Sequence, residues 1–204
     1  MHLVPNQIFH VYNRGNQRQT IFFERAHYLF FLRKVRIYLR PYCSILAYCL
    51  LPNHFHFLIK TNALTVAPAE ALRRHTDQPK VDMNNFAHGM KMLLSAYTKG
   101  VNKQLGLTGS LFTQNTRARQ VSSERSTEDY SLFCFHYIHQ NPATAHLVED
   151  LARWEYSSFP DYAGLRNGTL CDMVLAKEEL MLDWYEFRHE TLQILPPGGF
   201  MNIW

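Results

Sequence analysis

Read by the spacing of apolar and polar positions, the chain gives a strand near 7–14, a helix near 24–40, strands near 43–50 and 54–60, a helix near 82–103 and a strand near 116–121. A further helix follows, dense in large apolar residues from Tyr130 to Ile138; it is expected to start near Ser126 or Thr127, beside Glu128 and Asp129, and to stop at Pro142. The order strand-helix-strand-strand-helix-strand is the split βαβ pattern of ferredoxin-like domains. The expected fold class is therefore α+β: an antiparallel central sheet with helices packed on it, followed by a C-terminal helical extension.

The segments between these elements have their own signals. Thr61–Lys80 contains two prolines and mixed charge with little periodicity, which predicts a loop. Ala143–Tyr162 continues beyond Pro142, and its Trp154, Tyr156 and Phe159 are expected to pack back on the sheet domain. Residues 1–163 form that domain, and 164–204 form an acidic extension in which Leu175–Leu195 reads as one helix before the Pro196-Pro197-Gly198-Gly199 break.

Candidate chemistry begins in the second half of the strand pair. Side chains alternate between faces of a strand, so His54 and His56 project together while Phe55 and Phe57 face the other way. Two imidazoles on one face make half of a divalent-metal site; the competing reading is a pair of ordinary buried or surface histidines. On the later helix Tyr130, Tyr137 and Asn141 share a face, because spacings of seven and four residues return to the same side. The competing reading there is a core tyrosine with Asn141 as a C-cap before Pro142.

Together with Phe9-His10-Val11-Tyr12-Asn13-Arg14-Gly15-Asn16 and Trp154-Glu155-Tyr156-Ser157-Ser158, the His-Phe-His strand and the Tyr137-Ile138-His139-Gln140-Asn141-Pro142 helix resemble the single-tyrosine HUH transposases. Among these insertion-sequence-200-like proteins the likeness is to the REP-associated tyrosine transposases. It runs in order from about Gln7 to about Tyr162, and four motifs in order are far more specific than one.

The resemblance implies a ferredoxin-like palm whose central strands carry the histidines, with a helix bringing the tyrosine over them. It makes Tyr137 the nucleophile that cleaves single-stranded DNA, leaving a 5′-phosphotyrosine and a free 3′-hydroxyl. His54 and His56 become ligands of a divalent ion, Mg²⁺ or Mn²⁺. Asn141 is the third ligand by position, with Gln140 and His139 as competitors. Such chemistry suits these residues: a tyrosine hydroxyl, with a reference pKa of about 10, is a poor nucleophile near neutrality unless it is deprotonated or oriented. An ion on the scissile phosphate polarises the phosphorus and offsets charge in the transition state. The phosphotyrosine keeps the ester bond, so rejoining requires no nucleotide cofactor and no Walker-type glycine loop. The DNA implied is single-stranded or hairpin-forming, and both a homodimer and a monomer occur among such proteins.

Charge distribution points the same way independently. Residues 1–120 hold 16 Lys or Arg and 4 Asp or Glu, a balance of +12, whereas residues 121–204 hold 5 and 13, a balance of −8. A basic surface draws a phosphate backbone and makes affinity fall with salt. Arg33, Lys34, Arg36 and Arg40 read as a solvated helix face, and Arg73 and Arg74 form a second cluster. Arg117 and Arg119 lie on one face of a strand and are the first choice for phosphate contacts. Tyr12, Asn13, Arg14 and Gly15 form a polar, basic strand end next to a glycine that allows close approach, which makes Gly15–Gln19 a candidate base-reading loop. The acidic helix of the extension is a candidate cap for this DNA face.

Composition adds bounds. At 204 residues and 47% hydrophobic content the chain suffices for one domain with a proper core. No apolar run reaches transmembrane length and the N-terminus lacks signal-peptide character, so no membrane partner is expected and the expected compartment is the cytoplasm. Cys43, Cys49, Cys134 and Cys171 lack zinc-site spacing and read as buried thiols. Beside strand transfer stand two other readings: a host-adopted protein that binds hairpin DNA without transposition, and a hydrolase that activates water on the His pair. The last is weakened because no carboxylate lies beside the histidines to act as base.

Overall fold

The computed structural model describes residues 2–69, 83–122, 130–183 and 185–193. Four strands, β1 (Ile8–Arg14), β2 (Cys43–Leu51), β3 (His54–Thr61) and β4 (Arg117–Gln120), form one sheet in the order β2-β3-β1-β4. Every neighbouring pair is antiparallel. Strands β2 and β3 are joined by a two-residue turn, Pro52-Asn53, and β3 lies between β2 and β1, which is the ferredoxin-like split expected from the sequence.

Each face of the sheet is buried by different helices, because the strands are apolar on both sides. Phe9, Val11, Phe55, Phe57 and Ile59 point into a first core shared with α1 (Arg25–Tyr38) and α3 (Asn85–Leu105). Phe31 of α1 and Tyr97 of α3 are fully buried there, with ring centroids 5.1 Å apart and nearly perpendicular planes. Asn84 caps α3 by accepting from the Ala87 N–H, and Gly106 ends it in the left-handed region at φ 66°. Where the two helices meet, a Cβ at Gly89 would overlap the Tyr38 carbonyl oxygen. The short helix α2 (Ala63–Val66) precedes the segment that carries Arg73 and Arg74, which lie outside the described residues.

The opposite face is covered by α4 (Ser131–Thr144), α5 (Phe159–Tyr162), α6 (Met173–Leu180) and α7 (Phe187–Gln193). Leu46, Cys49, Leu51 and Leu58 pack there against Cys134, Phe135, Ile138 and Phe187. Trp154 and Tyr156 run along β2, as expected: Trp154 Nε1 donates to the Leu50 carbonyl at 3.0 Å, and the Leu50 N–H donates to the Tyr156 carbonyl at 2.9 Å. Phe159 enters the second core. All four cysteines are free, three of them buried and Cys171 half-buried.

The described part of the expected loop Thr61–Lys80 holds the one-turn helix α2, closed by a reciprocal capping pair between Asn62 and Thr65, and two helix boundaries also differ from expectation. Helix α4 does not stop at Pro142 but runs on to Thr144. Pro142 falls in the last turn, where its missing N–H leaves only one carbonyl without a helical partner, and the Leu147 N–H closes the end onto the Pro142 carbonyl at 2.9 Å. The expected start of this helix, Ser126 or Thr127, lies outside the described residues. In the extension, the single helix expected over Leu175–Leu195 is two, broken at Met181 with φ 51°. The break lets Leu180, Leu182 and Phe187 all enter the second core, which one straight helix would not. Among the described residues no helix is long and apolar enough to cross a membrane.

The close helix approach sets a stability test. Gly89→Ala is expected to lower unfolding free energy by about 1–3 kcal/mol through overpacking, read from denaturant midpoints at unchanged slope.

Candidate functional site

Strand register assembles the site. Tyr12 of β1 stands opposite His56 of β3 on one side and Arg117 of β4 on the other, so the three share a row and a face. One row along, His10 stands opposite Arg119; one row the other way, Arg14 stands opposite His54. His54 and His56 therefore do project together, with ring centroids 5.0 Å apart, while Phe55 and Phe57 lie in the core of the other face.

Helix α4 lays Tyr137 over this row. Its ring meets His56 edge-on at 5.8 Å and His10 at 6.1 Å between centroids. Tyr137 and Asn141 are both buried and one turn apart, and Asn141 Nδ2 donates to the Tyr137 carbonyl at 2.8 Å, so the atom that this amide can offer an ion is Oδ1. The two competitors have hydrogen-bond partners of their own. His139 Nε2 is 2.7 Å from Ser158 Oγ, and Gln140 Nε2 donates to the Thr191 carbonyl of α7 at 2.5 Å. His136, on the same side of the helix, lies 2.8 Å from Thr191 Oγ1. The described part of the acidic extension thus packs on the tyrosine helix.

The imidazoles are tuned to stay neutral. Burial, helped by the charge of Arg14, lowers His54 to about 4. Burial and the charge of Arg119 lower His10 to about 3, and burial with the neighbouring His10 and His54 holds His56 well below the usual histidine range. His54 Nδ1 is 2.6 Å from Asn53 Oδ1; an amide oxygen only accepts, so the proton sits on Nδ1 and Nε2 carries the lone pair. Among the described residues no three His, Cys, Asp or Glu side chains converge to hold a metal. An ion on His54 and His56 thus needs an amide or a substrate oxygen to complete its shell.

Beside the histidines the surface opens into two recesses that meet at Arg14. One, of about 390 Å³, is lined by Tyr12, Asn13, Arg14, Thr113, Gln114, Asn115 and Arg117. The other, of about 230 Å³, is lined by Arg14, Arg18, Asn53 and His54. Four of the six residues picked for nucleic-acid contact therefore border one cleft. Asn13 is nonetheless committed to structure: buried, it donates to Thr116 Oγ1 at 3.0 Å and accepts from Thr113 Oγ1 at 2.6 Å, fixing the loop that forms the cleft wall. Gly15 is buried and lies next to this cleft, its N–H donating to the Asn53 carbonyl at 2.8 Å, and a Cβ there would overlap the Gln19 carbonyl. Arg119 lies outside the cleft, with its charge felt at His10 and Cys134.

Two residues at this site escaped the sequence reading, His10 and Asn53. His10 shares the alternation of Tyr12 and Arg14, which places it on their face, but its partner on β3 depends on a register that the spacing alone does not give.

Compared with solved structures, the chain superposes on a REP-associated tyrosine transposase bound to a REP hairpin with a TM-score of 0.56, over 84% of this chain and 92% of that one, at 15% identity. The chain has the fold of a REP-associated tyrosine transposase. A bacterial tRNA(His) guanylyltransferase-like protein in complex with GTP also aligns, with a TM-score of 0.43 and 11% identity over 79% of this chain and 72% of that one. No family model and no curated protein matches the sequence.

The neutral, buried histidines give a pH prediction. Their unfolded-state pKa is about 6.5 and their folded values lie near 4 or below, so the unfolded chain alone takes up protons as pH falls through this window. Stability is expected to be level above about pH 7 and to fall steeply from pH 6.5 toward 4; a melting temperature unchanged down to pH 4.5 would contradict this.

Proposed function

We propose that the protein is a metal-dependent tyrosine strand transferase that cleaves and rejoins single-stranded, hairpin-bearing DNA through Tyr137. The observation that carries this reading is the placement of Tyr137 edge-on over His56, whose ring lies 5.0 Å from that of His54, on the face that also presents Arg117 and Arg119.

The residues fit a divalent ion. His54 offers an Nε2 lone pair, His56 is neutral, and Asn141 brings an amide oxygen from the helix that carries the tyrosine. This mixed nitrogen and oxygen set suits Mn²⁺, and Mg²⁺ when phosphate and water oxygens fill the remaining positions. Bound there, the ion would withdraw charge from the scissile phosphate.

The chain's own groups do the rest. Tyr137 Oη attacks phosphorus, the Oη–P bond forms and the P–O3′ bond breaks. The 3′ oxygen leaves as a hydroxyl, taking up one proton for the one that Tyr137 gives up. Because one phosphoester replaces another, the reverse attack by a 3′-hydroxyl rejoins DNA without an energy-rich cofactor. Arg14 and Arg117 face the cleft as phosphate partners, Arg119 extends the same basic row, and Tyr12 offers a ring on which an unpaired base can stack. Gly15 and Asn13 shape the wall of that cleft rather than meet the strand through side chains. A DNA partner agrees with the +12 balance of residues 1–120.

The test is incubation of wild type and Tyr137→Phe with labelled single-stranded hairpins in Mn²⁺, resolved on a denaturing gel. A covalent adduct is expected in wild type and not in the variant, with hairpin affinity unchanged. Tight binding with no adduct in wild type would replace this reading with that of a hairpin-binding protein without strand transfer. Arg117→Ala is expected to weaken binding of all sequences alike and to flatten the slope of log affinity against log salt by about 0.7–0.9, measured by fluorescence anisotropy.

A further inference from the structure

His10 is fully buried in the floor of the site. Its Nε2 lies 2.8 Å from His56 Nδ1, and the two rings are stacked with planes 17° apart. This contact repeats, one residue pair along β3, the one that Asn53 makes with His54 Nδ1. Both histidines of the pair are thus gripped at Nδ1, by groups supplied from outside the His-Phe-His motif.

A neutral imidazole has one donor and one acceptor nitrogen, so the proton between His10 and His56 decides which nitrogen of His56 can bind a cation. If His10 donates, His56 carries its own proton on Nε2 and has no lone pair there. If His56 donates, Nε2 is left as a ligand atom, in the same tautomer that Asn53 imposes on His54. Metal-binding histidines generally donate their second N–H to a fixed acceptor, which sets ring orientation and raises basicity. We infer that His10 is a positioning residue: its Nε2 accepts the Nδ1–H of His56 and holds His56 in the tautomer whose Nε2 faces a divalent ion. This rests on the metal site of the proposed function and adds to it the group that prepares one ligand before any ion arrives. Strand pairing keeps the acceptor in place, since β1 and β3 are hydrogen-bonded along their whole length and His10 sits two residues from Tyr12, the cross-strand partner of His56.

The experiment compares full-length wild type, His10→Phe and His10→Gln, each checked for folding by thermal melting. Long-range ¹⁵N–¹H correlation spectra of histidine-labelled, ion-free protein report the tautomer of His56 directly. Mn²⁺ affinity is measured separately by electron paramagnetic resonance. Wild type is expected to show His56 protonated at Nδ1. His10→Phe is expected to lose that signature and to bind Mn²⁺ about 10–100-fold more weakly. His10→Gln, whose amide oxygen can accept at the same place, is expected to recover most of the loss. An Nε2–H tautomer in wild type, or equal Mn²⁺ affinity in His10→Phe, would overturn the inference. Absence of Mn²⁺ binding in wild type with the Nδ1–H tautomer present would instead sink the metal site and leave the His10–His56 bond as assigned.

Discussion

Everything at the candidate site depends on the register of β1 between β3 and β4. Side chains on a strand alternate, so a slip of one residue would send Tyr12 and His10 into the aromatic core and bring Val11 and Phe9 to the histidines. The register is held because both faces are strongly specified. Phe9, Val11, Phe55 and Phe57 fill the core under α1 and α3, and a one-residue slip of β1 would take Phe9 and Val11 out of that core. Hydrophobic burial on one side of the sheet thus sets the polar geometry on the other.

That division explains what could be read from the sequence. The element order and the sidedness of His54 and His56 follow from short-range alternation, and they stand in the structure where the spacing puts them. Tyr137 and Asn141 share a helix face for the same local reason. The features that were not legible all involve partners distant in sequence. Pro142 reads locally as a stop, yet the chain accepts it in a final turn whose end is closed by Leu147. Leu175–Leu195 has the composition of one helix and is split because Leu182 and Phe187 are drawn into the second core. His139 and Gln140 cannot be separated from Asn141 by spacing alone. Ser158 and Thr191, brought in by the last third of the chain, take them up.

The electrostatic character of the site follows from the same burial. Histidines enclosed between a sheet and a helix, with arginines as the nearest charges, are kept neutral by desolvation and by like charge. An imidazole in that state is a ligand or a hydrogen-bonding group rather than a cation, so attraction for a phosphate falls to the arginines at the rim. One sheet face thereby has two layers of different electrostatic character: charged groups at its open end, neutral imidazoles in its floor.

Helix α4 has one side against this floor and the other against Ser158 and α7. The last third of the chain therefore acts as a splint on the helix that bears the tyrosine. A fragment ending near residue 163 would contain every motif of the site and still be incomplete, because Leu180, Leu182 and Phe187 would be missing from the back of that helix. The core that backs the tyrosine helix thus extends beyond the motif-bearing region, and substitutions in the tail bear on the same helix as substitutions beside the histidines.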